Sequence, residues 1–445
     1  MKSPAHPPLR LSWLVWGLGA LLYFTGFYQR VAPAVMTDQL MSDFRIGAAA
    51  LGNFSAFYFY SYVAMQIPTG ILADHLGPRK LLAAGALIAA IGALLFSLAH
   101  HLALANLGRL LIGGSVAVAW VALMKLAIHW FPPERFSLVT GAALLCGVAG
   151  AVSAGIPLRL LVEWMGWRWV MLAMSLFSVG IALAIWLVVR DDPSEKGYAS
   201  FAPPATAGGR GSWQLLGGLA QVIRYRNTLL LAIAQGAQVG AVLAFCGLWG
   251  VPYLAVRYGL NPSESAAVTS TIMLAWAFAG PFIGGVSERY GRRKTVYVTA
   301  ITLAAAGWLA AICLPSLPLW AFVMLATLGG MACGAVIIGF AFAKESVPVE
   351  LAGTVSGVCN MGAMAGPMLL QPAIGLVLDL HWTGALENGV RVYGLEAYRS
   401  GLLLIVAWLV LAVAAAAFTR DSRCRQYVAE EAAGRHPTSP SDDSQ

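Results

Sequence analysis

Three basic side chains stand inside long apolar runs: Arg30 in YFTGFYQRVAP, Arg109 in NLGRLLIGG and Lys125 in VALMKLAIHW. In a lipid solvent a mid-span cation costs on the order of 3 kcal/mol by insertion scales, so each needs a partner or a task. A guanidinium is a planar fork of donors that matches a carboxylate. Arg30 lies about six residues before one end of its run, and Arg109 about seven residues after the matching end of its own. At 1.5 Å per residue both sit about 10 Å below the same surface, at matching depth. At 100° per residue Gly113, Val116 and Trp120 stay within about 40° of Arg109, whereas Lys125 is about 160° round and about 24 Å deeper. Lys125 shares a face with His129 near the other surface, where snorkelling or an ion pair accounts for it.

Side chains that could line a cavity beside them follow from the same helical geometry. Tyr23, Phe27 and Arg30 form one stripe, and Trp120 shares the Arg109 face. The next run offers Asn53, Tyr58, Tyr60, Tyr62 and Gln66. Its tyrosines occupy more than one face, so some line a cavity and others pack. Farther on, Gln235, Gln238 and Asn360 are the polar candidates, with interhelical hydrogen bonds as the equal alternative.

The elements that position these residues are membrane helices. Hydrophobic residues make up 59% of 445 positions and charged residues 11%, a balance that aggregates in water and suits a bilayer. Twelve apolar segments of spanning length are expected, at about 11–36, 48–72, 79–99, 102–130, 138–163, 167–190, 227–256, 264–286, 294–313, 317–345, 351–379 and 400–419. The first, long and followed at once by others, reads as an uncleaved span, not a signal peptide. Residues 191–226, rich in Pro, Gly and Ser, read as a linker ending in a short surface helix, and 421–445 as a polar disordered tail. The domains are therefore 1–190, 191–226, 227–420 and 421–445.

Placing both termini in the cytoplasm puts nineteen Lys and Arg on that side and six on the other, with Arg30, Arg109 and Lys125 completing the 28. This obeys the positive-inside rule and explains the net charge of +8 without nucleic acid as partner. Of six cysteines, five lie in apolar runs as small packing residues, and no spacing marks a metal site or disulfide framework. No Walker-type loop is present, and no converging nucleophile or acid pair suggests an enzyme.

A charged knot, GILADHLGPRK at 70–80, returns as GGVSERYGRRK at 284–294, an offset of 214. PPERFSLVTG at 132–141 returns as PVELAGTVSG at 348–357, an offset of 216. The chain is thus two six-helix halves of common design. Gly77 suits a tight turn, Pro78 the first turn of a helix, Gly70 a close helix approach. Asp74 can accept from Arg79 and from amides at a helix N-terminus. Glycines at 147–155 and 357–366 are expected to pack between the halves, and Pro68, Pro157, Pro252, Pro281, Pro367 and Pro372 to permit kinks.

The knot, the repeat and the twelve spans together resemble the major facilitator superfamily over roughly 11–420. The resemblance implies an all-α membrane protein of twelve transmembrane helices in two pseudo-symmetric bundles. It also implies a latch at Gly70, Asp74, Gly77, Arg79, Lys80, Glu288, Arg289, Gly291 and Arg292, which ties the halves on the cytoplasmic side when the cavity faces outward. FYQRVAPAVM, GRLLIGG and GWRWVMLAMSLF further resemble the anion:cation symporter branch, in which the arginines matching Arg30 and Arg109 contact an organic anion. That branch often has an acid just before the first arginine and another seven residues after the second; here these are Gln29 and Val116. Arg-x-x-x-Gly is also the superfamily's span-4 motif, so Arg109 has the alternative role of a pin to span 1. The expectation is a monomeric secondary transporter of a small organic anion or zwitterion in a bacterial inner membrane, without cofactor, its coupling ion open. An amino-acid, peptide or siderophore carrier is the neighbouring reading, and a non-transporting membrane sensor the reading from another class.

Overall fold

The computed structural model describes residues 5–202, 212–387 and 389–427. The middle of the expected linker and the tail beyond 427 lie outside the described residues. Eleven helices are long and apolar enough to cross a membrane. One of them, Ala48–Ser97, has 50 residues and holds two spans, broken at Gly77 by a φ of 76°. Twelve spans result, as the apolar segments require.

Several spans are interrupted. Span 4 divides into Leu102–Val116 and Ala119–Trp130, and span 5 into Phe136–Ser153 and Ile156–Met165. Pro157 accordingly starts a new helical piece and does not kink an existing one. Span 7 runs from Arg226–Ala244 through a π-helical turn, Phe245–Trp249, into Gly250–Tyr258. Spans 8, 9, 11 and 12 are continuous at Pro262–Tyr290, Arg293–Cys313, Ala352–Leu380 and Leu395–Ala417. Spans 1 and 6 are Leu9–Val31 and Trp167–Val188, and span 10 is Leu319–Cys333 with Val336–Glu345. Residues 5 and 427 emerge on one face, called the terminal face below; the other is the far face.

Glycines decide how the helices approach. Span 5 lies on span 1 where a Cβ at Gly150 would collide with the Phe24 carbonyl, and span 11 lies on span 7 where one at Gly366 would collide with the Gly236 carbonyl. The glycine runs therefore pack mainly within each half, in the same way in both, and not between the halves as expected. Gly155 is the exception, since it abuts Ser270 of span 8. The halves meet mostly near the far face. Gly52 lies against the Gln371 carbonyl, Gly375 against the Ala48 carbonyl, and the tip Ala32–Val35 against Phe245–Trp249. Toward the terminal face, Cβ atoms at Gly70, Gly141 and Gly357 would meet nothing within 4 Å. The far side is closed and the terminal side looser, and Gly70 is not a point of close helix approach.

Candidate functional site

Arg30 is 5% exposed. Its guanidinium carbon lies 4.3 Å from the Phe27 ring centre, 5.2 Å from that of Tyr62 and 5.6 Å from that of Tyr58. The Tyr58 hydroxyl donates to the Gly26 carbonyl at 2.9 Å, which leaves its lone pairs facing Arg30. Tyr23 stacks obliquely on Phe27 and Trp120, with ring centres 4.9 and 5.4 Å apart. The cation thus sits in a cage of aromatic faces, which attract it through their quadrupoles. Among the described residues it has no ion pair, and its Nε has no hydrogen-bond partner.

Arg109 is held differently. It is wholly buried, and Nη1 donates to the Gln29 carbonyl at 2.6 Å and Nη2 to the Ser55 carbonyl at 3.4 Å. Residue 33 is proline, so the Gln29 carbonyl has no i+4 amide to accept from. Arg109 satisfies that orphan acceptor and fixes the backbone next to Arg30. Its guanidinium also lies over Phe54 and Tyr58. The pin is what the geometry shows. The two arginines share the Tyr58 ring, and each has an Nε without a hydrogen-bond partner, but Arg109 donates to two backbone carbonyls while Arg30 faces the rings of Phe27, Tyr58 and Tyr62.

Other expected site residues divide. Trp120 joins the aromatic cage through Tyr23. Tyr60 does not: its hydroxyl donates to Asn53 at 2.9 Å, on a different side of span 2 from Tyr58 and Tyr62. Gln235 and Gln238 are fully buried within the second half, where the Gln235 amide and the Tyr297 hydroxyl converge over Gly339. They do not line a cavity in this conformation. Asn360 donates to Gln66 at 2.8 Å, a bond from span 11 to span 2 that crosses the halves one turn below Tyr62.

The repeated knots are tight turns, with φ of 76° at Gly77 and 62° at Gly291. Their partners differ from those expected. Asp74 pairs with Lys125 at 2.5 Å, inside its own half, and not with Arg79. Arg79 donates through its side chain to the Trp186 carbonyl and through its amide to Asp191. Asp191 fits against Gly77, where a Cβ would lie 2.5 Å from its Oδ2. In the second knot Arg289 and Arg292 are exposed, as is Lys80 in the first. Arg293, 6% exposed, makes the contacts instead: to Glu345 at 2.8 Å and more weakly to Glu288 at 3.6 Å. Glu345, at the end of span 10, therefore pairs with Arg293. Asp421 accepts from the Lys294 amide at 3.2 Å, much as Asp191 accepts from the Arg79 amide, though one residue beyond the position that the offset of 214 assigns. These two aspartates were not anticipated, although Arg190-Asp191 after span 6 and Arg420-Asp421 after span 12 carry the signal. Asp192 is caught beside them. Burial pushes its carboxyl up, but hydrogen bonds from Ser194, Ser200 and His129 outweigh that and hold it well below the usual range.

The family model of the Major Facilitator Superfamily matches residues 16–251 and again 239–441. The chain belongs to that superfamily and is a multi-pass membrane transporter of small molecules. It is 25% identical over 422 residues to a putative tartrate transporter of Agrobacterium vitis, covering 88% of each chain. It is 23% identical over 442 residues to a probable galactarate/D-glucarate transporter of Bacillus subtilis strain 168, covering 91% of this chain and 94% of that one. Among solved structures, a bacterial homolog of the human lysosomal transporter Spinster, inward-facing and unoccupied, superposes with a TM-score of 0.75 at 19% identity, covering 95% of this chain and all of the other.

Proposed function

We propose that this transporter moves a small organic anion bearing a carboxylate, held by Arg30, through rocking of the halves 1–190 and 227–420 about a central site. The observation that carries this is the Arg30 guanidinium, 5% exposed, caged by aromatic rings and without an ion pair among the described residues. A desolvated cation without a counter-ion is costly, and an arriving carboxylate relieves that cost with a bidentate pair. Asn360 and Gln66, one turn away, offer amide groups to the hydroxyls of a hydroxy acid, the class to which tartrate and glucarate belong. Arg109 supports Arg30 by fixing span 1 and does not touch the cargo. The terminal face is cytoplasmic, the membrane is a bacterial inner membrane, the chain works as a monomer, and its role is transport and not catalysis.

The test is counterflow of labelled tartrate and glucarate in proteoliposomes, with and without a pH gradient. Saturable exchange is expected for the parent, at least about 30-fold lower apparent affinity for Arg30→Ala, since a charged hydrogen-bonded pair contributes about 2–3 kcal/mol, and partial recovery for Arg30→Lys. Unchanged exchange by correctly inserted Arg30→Ala protein overturns the reading.

A further inference from the structure

Span 2 begins without a cap of its own. Its N-cap is Gly47, which has no side chain to accept from the first amides of the helix. Those amides are nevertheless satisfied, from the other half of the molecule. Asp379, at the far end of span 11, accepts from the Ala49 amide through Oδ2 at 2.9 Å and from the Ala48 amide through Oδ1 at 3.3 Å. Tyr393 accepts from the Ala48 amide at 2.9 Å and donates to Asp379. Arg391, carried on a two-stranded hairpin of Leu386–Glu387 and Val390–Arg391 and stacked on Trp382, completes the cluster at 3.1 Å. Burial and Asp379 together push the Tyr393 phenol up to about 12, so it remains a donor at neutral pH. A carboxylate at a helix N-terminus also meets the positive end of the helix dipole.

We propose that Asp379 is the far-face lock of the transport cycle, a carboxylate on one half that supplies the missing helix cap of the other. When the halves part at the far face, span 2 loses its cap and Asp379 loses the two amide donors of Ala48 and Ala49, keeping only Tyr393 and Arg391 of its own half. The absence of a side chain at residue 47 is part of the device. A Cβ there would stand 2.7 Å from Oδ1 and 2.9 Å from Oδ2 of Asp379, so a side chain at residue 47 would push the carboxylate away from the amides. Gly52 and Gly375, whose added Cβ atoms would strike opposing backbone, let spans 2 and 11 come close enough for the cap to form. The lock needs no substrate.

The test follows the separation of the halves in nanodiscs without cargo, by electron–electron resonance between spin labels. His100→Cys and Leu314→Cys, exposed on far-face loops of opposite halves, carry the labels in a chain whose native cysteines are serine. Asp379→Ala is expected to raise the ratio of long-distance to short-distance populations about five- to tenfold, the loss of one cap. Gly47→Ala, which leaves every polar group in place, is expected to do the same and carries the test should Asp379→Ala fail to fold. Asp43→Asn removes a far-face carboxylate bonded only within the first half, to Trp167 and Arg168, and is expected to leave the ratio unchanged. An unaltered distribution in Gly47→Ala, or an equal shift in Asp43→Asn, overturns the lock. Failure of the Arg30 flux test alone leaves it standing.

Discussion

Pro33 and Arg109 are far apart in sequence, yet the structure makes them one unit, and this is open to a thermodynamic test. Replacing Arg109 with Met retains much of the side-chain volume. It removes a buried charge, which is favourable, and leaves the Gln29 carbonyl without a partner, which is not. These terms oppose each other, so the cost of the single substitution is not diagnostic. Replacing Pro33 with Ala restores an amide four residues after Gln29, where a helix directs it at that carbonyl. In the Pro33→Ala background the carbonyl already has a donor, and Arg109→Met leaves no orphan. An unsatisfied buried acceptor costs about 1–3 kcal/mol, so Arg109→Met should be less destabilising in that background by about 1–2 kcal/mol. Backbone effects of the proline cancel in the cycle. The assay is reversible unfolding of the four proteins in mixed micelles as the detergent fraction is varied. Costs that add within about 0.5 kcal/mol would refute the link between the proline and the arginine.

Two further outcomes follow from the same contacts. Gly375→Leu places a side chain against the Ala48 backbone, so it should hold the far face apart and abolish exchange while labelled anion still binds from that side; normal turnover in flux measurements counts against the closed seam. Asp192, whose folded-state pKa is depressed, adds stability above the ordinary carboxylate range of about 4, and this is lost as pH falls through the depressed value. Proteolysis of the 193–202 segment should therefore accelerate in strong acid for the parent and be faster than parent already at neutral pH for Asp192→Ala, with equal rates at neutral pH ruling out the docking role.

What could be read beforehand depended on the kind of information involved. Hydropathy sufficed for twelve spans, because each must cover the bilayer by itself. The glycine turns at 77 and 291 were readable because a positive φ is a property of one residue. The place of Arg30 near the far end of span 1 was readable because it depends only on position along one helix. Partner choice did not follow, since it depends on how neighbouring helices are rotated. Asp74 meets Lys125 and not Arg79 because Arg79 turns toward Trp186. The direction in which Gln235 and Gln238 face was not legible for a related reason: the most apolar stretch of span 7 is 83% buried, so no exposed face marks the side toward a cavity.

The ion pair of Asp74 with Lys125 carries a consequence for how fast the carrier turns over. Both side chains are substantially exposed, at 52% and 30%, so the pair contributes at most about 1 kcal/mol. If Asp74 engages the opposite half when the terminal side shuts, it does so by exchanging one partner for another. That exchange then adds little to the energy difference between the two ends of the journey, so it does not oppose a shift driven by cargo binding. A weak resting partner keeps the pendulum from settling.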